Sequence, residues 1–192
     1  MPTQAKPLLS PIAERARLIQ LGFDDLASVR HVHASSFRTI VEAGLADAEV
    51  QAFRTYANSD RYLDALAEQV RTRRLLGLTV DNTLAGTVGW SPAASADRGA
   101  RLDHVFVLAL FGRIGLGSRL VVEFEQEALL AGHTRFQTRT LADQSPFFTR
   151  LGYKLTSHDA LKLPGDVAIR CANMRKLTTH VTEDRRRKRR SH

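Results

Sequence analysis

Several features that mark other protein classes are missing from this chain of 192 residues. A single cysteine, Cys171, excludes an internal disulfide. There is no run of about 18 apolar residues, which argues against a membrane-spanning helix. Prolines and charges interrupt the first 15 residues, unlike an apolar signal peptide, so we expect a cytoplasmic protein with no membrane partner. The seven histidines have no zinc-type spacing, and we expect no metal.

The chain has fewer acidic residues than basic residues. The chain has 28 Lys and Arg against 20 Asp and Glu, and half of the net charge of +8 lies in its last ten residues. The rest is nearly balanced, unlike a uniformly basic nucleic-acid-binding domain. We predict a flexible lead-in at 1–15, one domain at 16–178 and a basic tail at 179–192. The tail run 185–190 predicts weak polyanion binding without base stacking, or no specific partner at all.

The apolar pattern and the turn residues predict a mixed order of helices and strands. Helices are predicted early in the chain, followed by a hairpin, a strand–helix–strand unit and two final strands. The predicted strands are 17–21, 75–80, 84–90, 101–110, 135–140, 153–157 and 167–176, and the predicted helices are 25–41, 45–57, 59–72, 115–131 and a short turn at 143–150. This order predicts an α/β (α+β) domain around a mixed sheet.

The most informative segment is the glycine-rich stretch 112–118, between a predicted strand and a predicted helix. Glycines allow sharp turns and close backbone approach, and a helix N-terminus offers unpaired N–H groups. Together they favour a phosphate or pyrophosphate site, although a tight turn that serves packing alone is the alternative. The spacing fits neither a P-loop nor a Gly-x-Gly-x-x-Gly dinucleotide motif.

Two motifs in this half of the chain resemble the GNAT superfamily of acyl-CoA N-acyltransferases. The first is Gly-Arg-Ile-Gly-Leu-Gly at 112–117, which opens a long predicted helix. The second is Asp-Gln-Ser-Pro-Phe-Phe-Thr-Arg-Leu-Gly-Tyr at 143–153, which matches the family's Phe-Tyr-x-x-x-Gly-Phe/Tyr signature. The resemblance is good over 101–176 and looser over 17–100. It implies a mostly antiparallel mixed sheet of six to seven strands flanked by helices.

The resemblance also implies a reaction and a co-substrate site. An acetyl group would pass from acetyl-CoA directly to a primary amine, which could be a small amine, an amino acid or a protein amine. The pyrophosphate would bind the backbone of 112–118, and the pantetheine arm would follow the predicted strand. The implied acetyl-CoA contacts are Val105, Val107, Gly112, Arg113, Ile114, Gly115, Leu116, Gly117, Ser118, Asp143 and Phe148.

The chain departs from the family pattern at several positions. Gly112 stands where Arg or Gln is usual, and Asp143 stands where Asn is usual. Phe148 stands where many members have a tyrosine that protonates the leaving thiolate, and it has no proton to give. Tyr153 is a candidate substitute acid, although the matching position in the family is usually a packed aromatic.

The candidate base is Asp103, on the predicted strand 101–110. In a regular strand it shares one face with Val105 and Val107, while His104 faces the other side. A solvated aspartate at a strand start is the alternative. Ser36 and Arg38 lie in the segment 35–47, which by the resemblance forms the acceptor pocket; an ordinary amphipathic helix is the alternative there.

Two other functions remain open at this point. Because the Phe148 side chain has no proton to give to a leaving thiolate, the domain could bind acyl-CoA without turning it over, as a sensor or interaction module. The polybasic tail leaves open a nucleic-acid-associated role. The sequence does not decide the acceptor amine, and a homodimer is also left open.

Overall fold

The computed structural model describes residues 11–41, 45–93 and 99–178, with side chains from 38 to 41 omitted. The strands are β1 (Arg17–Gln20), β2 (Leu75–Val80), β3 (Thr83–Pro92), β4 (Gly99–Val107), β5 (Arg135–Leu141), β6 (Lys154–Leu163) and β7 (Val167–Leu177). The helices are α1 (Pro11–Arg15), α2 (Leu26–Val41), α3 (Asp47–Ala57), α4 (Asp60–Arg71), α5 (Leu116–Leu130) and α6 (Ser145–Arg150). No helix in these ranges is long and apolar enough to cross a membrane.

The seven strands form one sheet in the order β1-β2-β3-β4-β5-β7-β6. All neighbours are antiparallel except β4 and β5, which run parallel. This architecture confirms the predicted mixed, mostly antiparallel sheet flanked by helices. The parallel pair is short, because β4 and β5 pair only from Gly99–Arg135 to Leu102–Thr138. Beyond these residues β4 and β5 no longer pair with each other, and a gap opens between them.

Local chemistry explains where the main elements begin and end. The Ser59 hydroxyl caps α4 by accepting a hydrogen bond from the Tyr62 N–H. Asp81 and Asn82 take positive φ angles of 48° and 64° in the β2–β3 turn, as a tight two-residue hairpin requires. Gly132, with φ of 90°, follows α5 and ends it as predicted.

The sheet separates two main apolar clusters. The larger one packs α5 and α6 against the sheet through side chains that include Leu120, Phe124, Phe136 and Phe148. The smaller one packs α2 and α4 against β1 and β2 through Val29, Leu66 and their neighbours. Val105 and Val107 of β4 join the larger cluster, so β4 lies between two differently built layers.

The structure differs from the sequence expectation at two places. Residues 11–15, expected within a flexible lead-in, form α1, and Ala13 is 1% exposed against the main core. Residues 1–10 and the basic tail from 179 onward lie outside the described residues. The strand predicted at 153–157 runs on to Leu163, because β6 is an exposed edge strand with almost no alternation of buried residues to mark it.

Candidate functional site

The opening between β4 and β5 exposes one edge of the β4 backbone. Leu108 N–H donates to the Ala85 carbonyl at 2.9 Å, and Val107 pairs in register with Gly86. Because backbone groups alternate in direction along an antiparallel strand, those of Val107 point away from β3, towards the gap. The Val107 carbonyl accepts a hydrogen bond from the Ser36 hydroxyl at 2.9 Å. The Val107 N–H is therefore a donor that an extended ligand in the gap can pair with.

The glycine-rich segment lies between β4 and α5. Arg113 has φ of 59° and Gly115 has φ of 94°, so the backbone turns twice through the left-handed region before α5 begins. The first helical bond of α5 runs from Arg119 N–H to the Gly115 carbonyl at 3.0 Å. Within the described residues, the N–H groups of residues 113–118 have no backbone acceptor. Such a set of converging amides, at a helix N-terminus, fits a pyrophosphate.

The side chains of this segment divide between the core and solvent. Leu116 is buried in the main core and Ile114 packs against it. These two residues therefore offer a ligand only their backbone groups. Arg113 is exposed, whereas Arg119 turns away and donates to the Ala16 carbonyl of the α1–β1 connection at 2.8 Å. Of the two arginines, only Arg113 is placed to add charge to this loop.

The α6 region holds three of the predicted site residues. Asp143 is exposed in the turn before α6. Phe148 is 5% exposed, and its ring centroid lies 4.9 Å from that of Phe147 and 5.6 Å from that of Tyr153. Phe147 reaches towards the loop, since a Cβ on Gly117 would lie 3.4 Å from it. These contacts link α6 to the glycine-rich segment.

The side chain of Tyr153, the proposed acid, is buried. It is 1% exposed within the main core, and the Lys176 ammonium lies over its ring. Burial, and secondarily the Glu125 carboxylate, raises the pKa of its hydroxyl far above the ordinary value. The prediction of Tyr153 as a substitute acid is therefore corrected: its packing is that of a core aromatic.

A β-bulge in β4 overturns the predicted arrangement of the strand's faces. The register passes from Gly89–Asp103 directly to Thr87–Phe106, so one residue is extra, and His104 takes a φ of 54°. Asp103 faces α4, because a Cβ on its partner Gly89 would collide with the Gln69 side chain. Val105 and Val107 pack on the opposite, α5 face. Asp103 thus shares its face with His104 and not with the valines.

Asp103 lies where β4 leaves β5. Its carboxylate accepts from the Ser91 hydroxyl at 3.1 Å and forms an ion pair with Arg101 at 3.0 Å. Burial raises the pKa of this carboxyl, an effect that Arg101 and the Ser91 hydrogen bond oppose. The net upward shift makes this carboxylate more basic than an ordinary aspartate.

His104 is held on the same face by α4. Its Nδ1 lies 2.8 Å from Oε1 of Gln69, which fixes Nδ1 as the protonated nitrogen when that oxygen accepts. Burial, with a smaller contribution from Arg101, lowers the pKa of His104 to about 4. The ring is therefore a neutral imidazole at physiological pH.

A buried chain of hydrogen bonds connects α2 and α4 to the bulge. Thr87 donates its one hydroxyl proton to the His104 carbonyl, so the Nε2–H of His33 must donate to Thr87, at 2.8 Å. Burial, and then the nearby His104, lowers the pKa of His33 well below its usual value. The neutral ring then accepts the Tyr62 hydroxyl proton at Nδ1, at 2.7 Å. Nothing in the sequence signalled this chain, because its members are 54 and 29 positions apart.

The two predicted acceptor residues have different outcomes. Ser36 is 4% exposed and serves β4 through its bond to the Val107 carbonyl, so it holds the strand and does not line an open pocket. The side chain of Arg38 and residues 42–44 lie outside the described residues. No group of three or more His, Cys, Asp or Glu side chains in the described ranges is arranged to hold a metal ion.

A cavity of about 420 Å³ lies between α2, α3 and α4, and we refer to it as the helical cavity. Its lining residues are Arg30, His31, His33, Ala34, Ser35, Phe37, Arg54, Ala57, Asn58 and Tyr62. Two of its walls contact β4 directly: the His33 ring stacks on His104, and the Phe37 ring meets Phe106 at 4.8 Å. The helical cavity therefore lies on the face of β4 opposite α5, with these side chains between it and the strand.

Comparison with known proteins agrees with this geometry. A search of curated protein sequences gives no match. Among solved structures, a GCN5-related N-acetyltransferase from Rhodopseudomonas palustris aligns over 91% of this chain and 100% of its own, at 15% identity and a TM-score of 0.74. The PaiA N-acetyltransferase from Thermoplasma acidophilum, described as a complex with coenzyme A, aligns over 85% and 99%, at 16% identity and 0.67.

A third solved structure, the ribosomal-protein-alanine N-acetyltransferase from Brucella melitensis, aligns over 84% of this chain and 99% of its own, at 13% identity and 0.61. At these identities the likeness shows a shared fold. The family is shown independently, since the acetyltransferase (GNAT) domain model matches residues 41–176. This match spans well over half of the sequence, and the chain therefore belongs to the GNAT acetyltransferase family.

Proposed function

We propose that this chain is an acetyl-CoA-dependent N-acetyltransferase that transfers the acetyl group directly to a primary amine. The observation that carries the proposal is the meeting of two features: the unpaired amides of residues 113–118 and the opening between β4 and β5. Family membership supports acetyl transfer. The coenzyme A complex of the structurally similar PaiA protein supports coenzyme A as the carrier.

In this proposal the co-substrate is bound mainly by backbone groups. The pyrophosphate accepts hydrogen bonds from the amides of residues 113–118, with Arg113 adding charge. The pantetheine arm lies in the gap and pairs with the backbone of Val105 and Val107. Asp143 and Phe148, on the α6 side, flank it. An N–H of β4 that points into the gap is suited to polarise the thioester carbonyl, as an oxyanion site does.

The chemistry requires one bond to form and one to break. The nitrogen lone pair of a neutral amine attacks the thioester carbonyl carbon and forms the C–N bond. The C–S bond then breaks, and the electron pair leaves with the coenzyme A sulfur as a thiolate. The amine nitrogen loses a proton, which a base must accept. No acyl-enzyme is needed, so Cys171, buried in β7, has no role in this scheme.

Asp103 is the proposed base. Its carboxylate lies at the first β4 position beyond the β5 pairing, and its raised pKa makes it a better proton acceptor than an ordinary aspartate. His104, which the bulge places on the same face, is the second candidate. Activity measurements on Asp103→Asn and His104→Gln distinguish the two candidate bases. Only loss of the residue that acts as the base should remove the rise of kcat with pH.

A second function, binding of acyl-CoA without turnover, is favoured by one observation. The Phe148 side chain has no ionisable proton, and the Tyr153 hydroxyl is buried in the core, so neither is suited to protonate a leaving thiolate. A thiolate of coenzyme A is a tolerable leaving group, and we therefore keep catalysis as the primary proposal. The cytoplasmic location, a homodimer and weak polyanion binding by the tail stay predictions.

Calorimetry with acetyl-CoA, followed by an amine screen for thiol release, tests the two functions. Saturable micromolar binding with thiol release supports the transferase. Binding of the same strength with no release across the amine panel supports the non-catalytic module. No binding contradicts both. A chain ending at residue 180 is the control, because a polybasic tail can attract a phosphate-rich ligand nonspecifically.

Asp103→Asn tests the base. We expect kcat at pH 7 to fall about 100-fold, the usual scale of general-base catalysis, with acetyl-CoA affinity within twofold of the parent. Asp81→Asn is the matched control, because Asp81 is an exposed aspartate in an ion pair with Arg15, at a turn. Unchanged turnover in Asp103→Asn would assign the proton to another group or to water.

A further inference from the structure

The charge of the helical cavity changes from its rim to its inner wall. Arg30 and Arg54 are exposed at the rim, on α2 and α3. His33, Phe37 and Tyr62 form the inner wall, and each is at most 5% exposed. The inner histidine is neutral, since burial lowers its pKa, and Tyr62 keeps its proton, since burial raises the pKa of its hydroxyl. The cavity is thus cationic outside and neutral inside.

The two rim arginines have no compensating acid among the residues that the structure describes. The described lining residues of the cavity include no Asp or Glu. Arg30 donates one hydrogen bond, to the Asn58 side-chain oxygen at 3.2 Å, and neither arginine forms an ion pair with any described residue. Among the described residues, the side chains that line the cavity thus leave the charges of these two arginines uncompensated.

The inner wall lies one side chain from β4. The His33 ring is stacked on His104 with centroids 5.6 Å apart, and Tyr62 meets His104 edge-on at 5.1 Å. An elongated molecule in the cavity therefore has one end at the arginines and the other at His33 and Tyr62, the side chains that contact His104 of β4. A volume of about 420 Å³ suits a small molecule more than a folded partner.

We propose that the acceptor is a small amine that carries an anionic group at its far end, and that Arg30 and Arg54 bind this group at the rim of the helical cavity. This inference rests on the proposed transferase function. Guanidinium groups bind carboxylates and phosphates through paired, charge-assisted hydrogen bonds. The same arrangement turns the amine inward, because the neutral inner wall does not repel an ammonium as the rim does.

Matched amines test the proposal. Straight-chain primary amines of three lengths are compared, each ending in a carboxylate, a phosphate or a methyl group. Because the end group lies far from the nitrogen, amines of equal length have nearly the same basicity whichever end group they carry. We expect kcat/KM to be at least tenfold higher for one anionic series than for the methyl series, and the better anion identifies the natural end group.

Substitution of the arginines locates the preference. Arg30→Ala/Arg54→Ala should reduce the anionic preference to below twofold while leaving kcat/KM for the methyl-ended amines within twofold. Arg30→Lys/Arg54→Lys should retain part of it, because the charge remains without the paired geometry. Arg17→Ala, an exposed arginine on β1, is the control that should change nothing.

The outcomes separate this inference from the proposed function. Equal rates for anionic and methyl-ended amines overturn the inference and leave the transferase intact. If acetyl-CoA neither binds nor releases thiol, the proposed function fails. The anion site is then decided by calorimetric titration of the carboxylate and phosphate amines alone: binding that the double alanine variant loses supports the site, and no binding overturns it.

Discussion

The two faces of β4 are built in different ways. On the α5 face, the strand meets a loop that follows it directly in sequence, and the groups offered to a ligand are backbone amides of residues 113–118. On the α2–α4 face, the strand meets side chains that come from separate segments, among them His33, Gln69 and Thr87. One face depends on local backbone geometry, and the other depends on long-range side-chain contacts.

This difference matches the two substrates of the proposed reaction. One of these proposed substrates is acetyl-CoA, and backbone groups can bind its phosphates whatever the surrounding side chains are. An acceptor differs from enzyme to enzyme, and side chains on separate helices can change without disturbing the strand order. We infer that the α5 face carries what the chain shares with its family and the α2–α4 face carries what is particular to it.

Gly117→Glu is the substitution from which we expect the largest effect. It tests only the role of the α5 face in binding acetyl-CoA. The side chain adds bulk and negative charge where phosphates must approach, so acetyl-CoA affinity should fall at least 100-fold, or by about 3 kcal/mol. Folding should not suffer, because an acidic residue in the first turn of α5 is favourable to the helix dipole. Calorimetry and thermal unfolding measure the two quantities.

Gly117→Ala is the control for this substitution. Its Cβ would lie in ordinary contact with Phe147, 3.4 Å away, so both the fold and the affinity should be kept. Undiminished affinity in Gly117→Glu would show that the amides do not hold the pyrophosphate, and the assignment of the α5 face would be wrong.

The same difference explains how far the sequence could predict this molecule. The strand and helix order followed from apolar periodicity, and the loop followed from glycine spacing, because both signals are local. The bulge at His104 left no such signal, and it reversed the face predicted for Asp103 relative to Val105. Likewise, no pattern indicated that Ser36 would bond to Val107, a residue 71 positions away.

Lowering the pH should weaken the α2–α4 face. The pKa values of His33 and His104 are lowered in the folded protein, so the unfolded chain takes up protons first as the pH falls below about 6.5. Between pH 7 and pH 5, His104 should cost about 2 kcal/mol of unfolding free energy, and His33 adds to this loss. Asp103, with its raised pKa, opposes this in part, because there the folded state takes up the proton first.

Urea unfolding at pH 7, 6 and 5 measures this dependence. In His104→Gln one of the two titrating rings is absent, so the dependence of the unfolding free energy on pH should become shallower. A free energy of unfolding that is flat or rises as the pH drops to 5 would mean that these rings are protonated in the folded protein, and the neutral inner wall would be wrong.

Thr87→Val is the substitution from which we expect the smallest effect. It tests whether the two faces of β4 act independently. The substitution keeps the shape of a fully buried side chain but removes the donor to the His104 carbonyl and the acceptor for His33. Unfolding free energy should fall by about 2 kcal/mol, because two buried groups lose their partner. Thr87→Ser is the control, since it keeps the hydroxyl and both bonds.

The acetyl-CoA affinity of Thr87→Val then decides the comparison. If the faces are independent, kcat should fall several-fold through a displaced bulge while acetyl-CoA affinity stays within twofold, and Thr87→Ser should restore kcat. If affinity falls together with kcat, the hydrogen bonds on the α2–α4 face also set the position of the β4 backbone that the pantetheine arm pairs with. The bulge would then couple the two faces, because β4 is the one element they share.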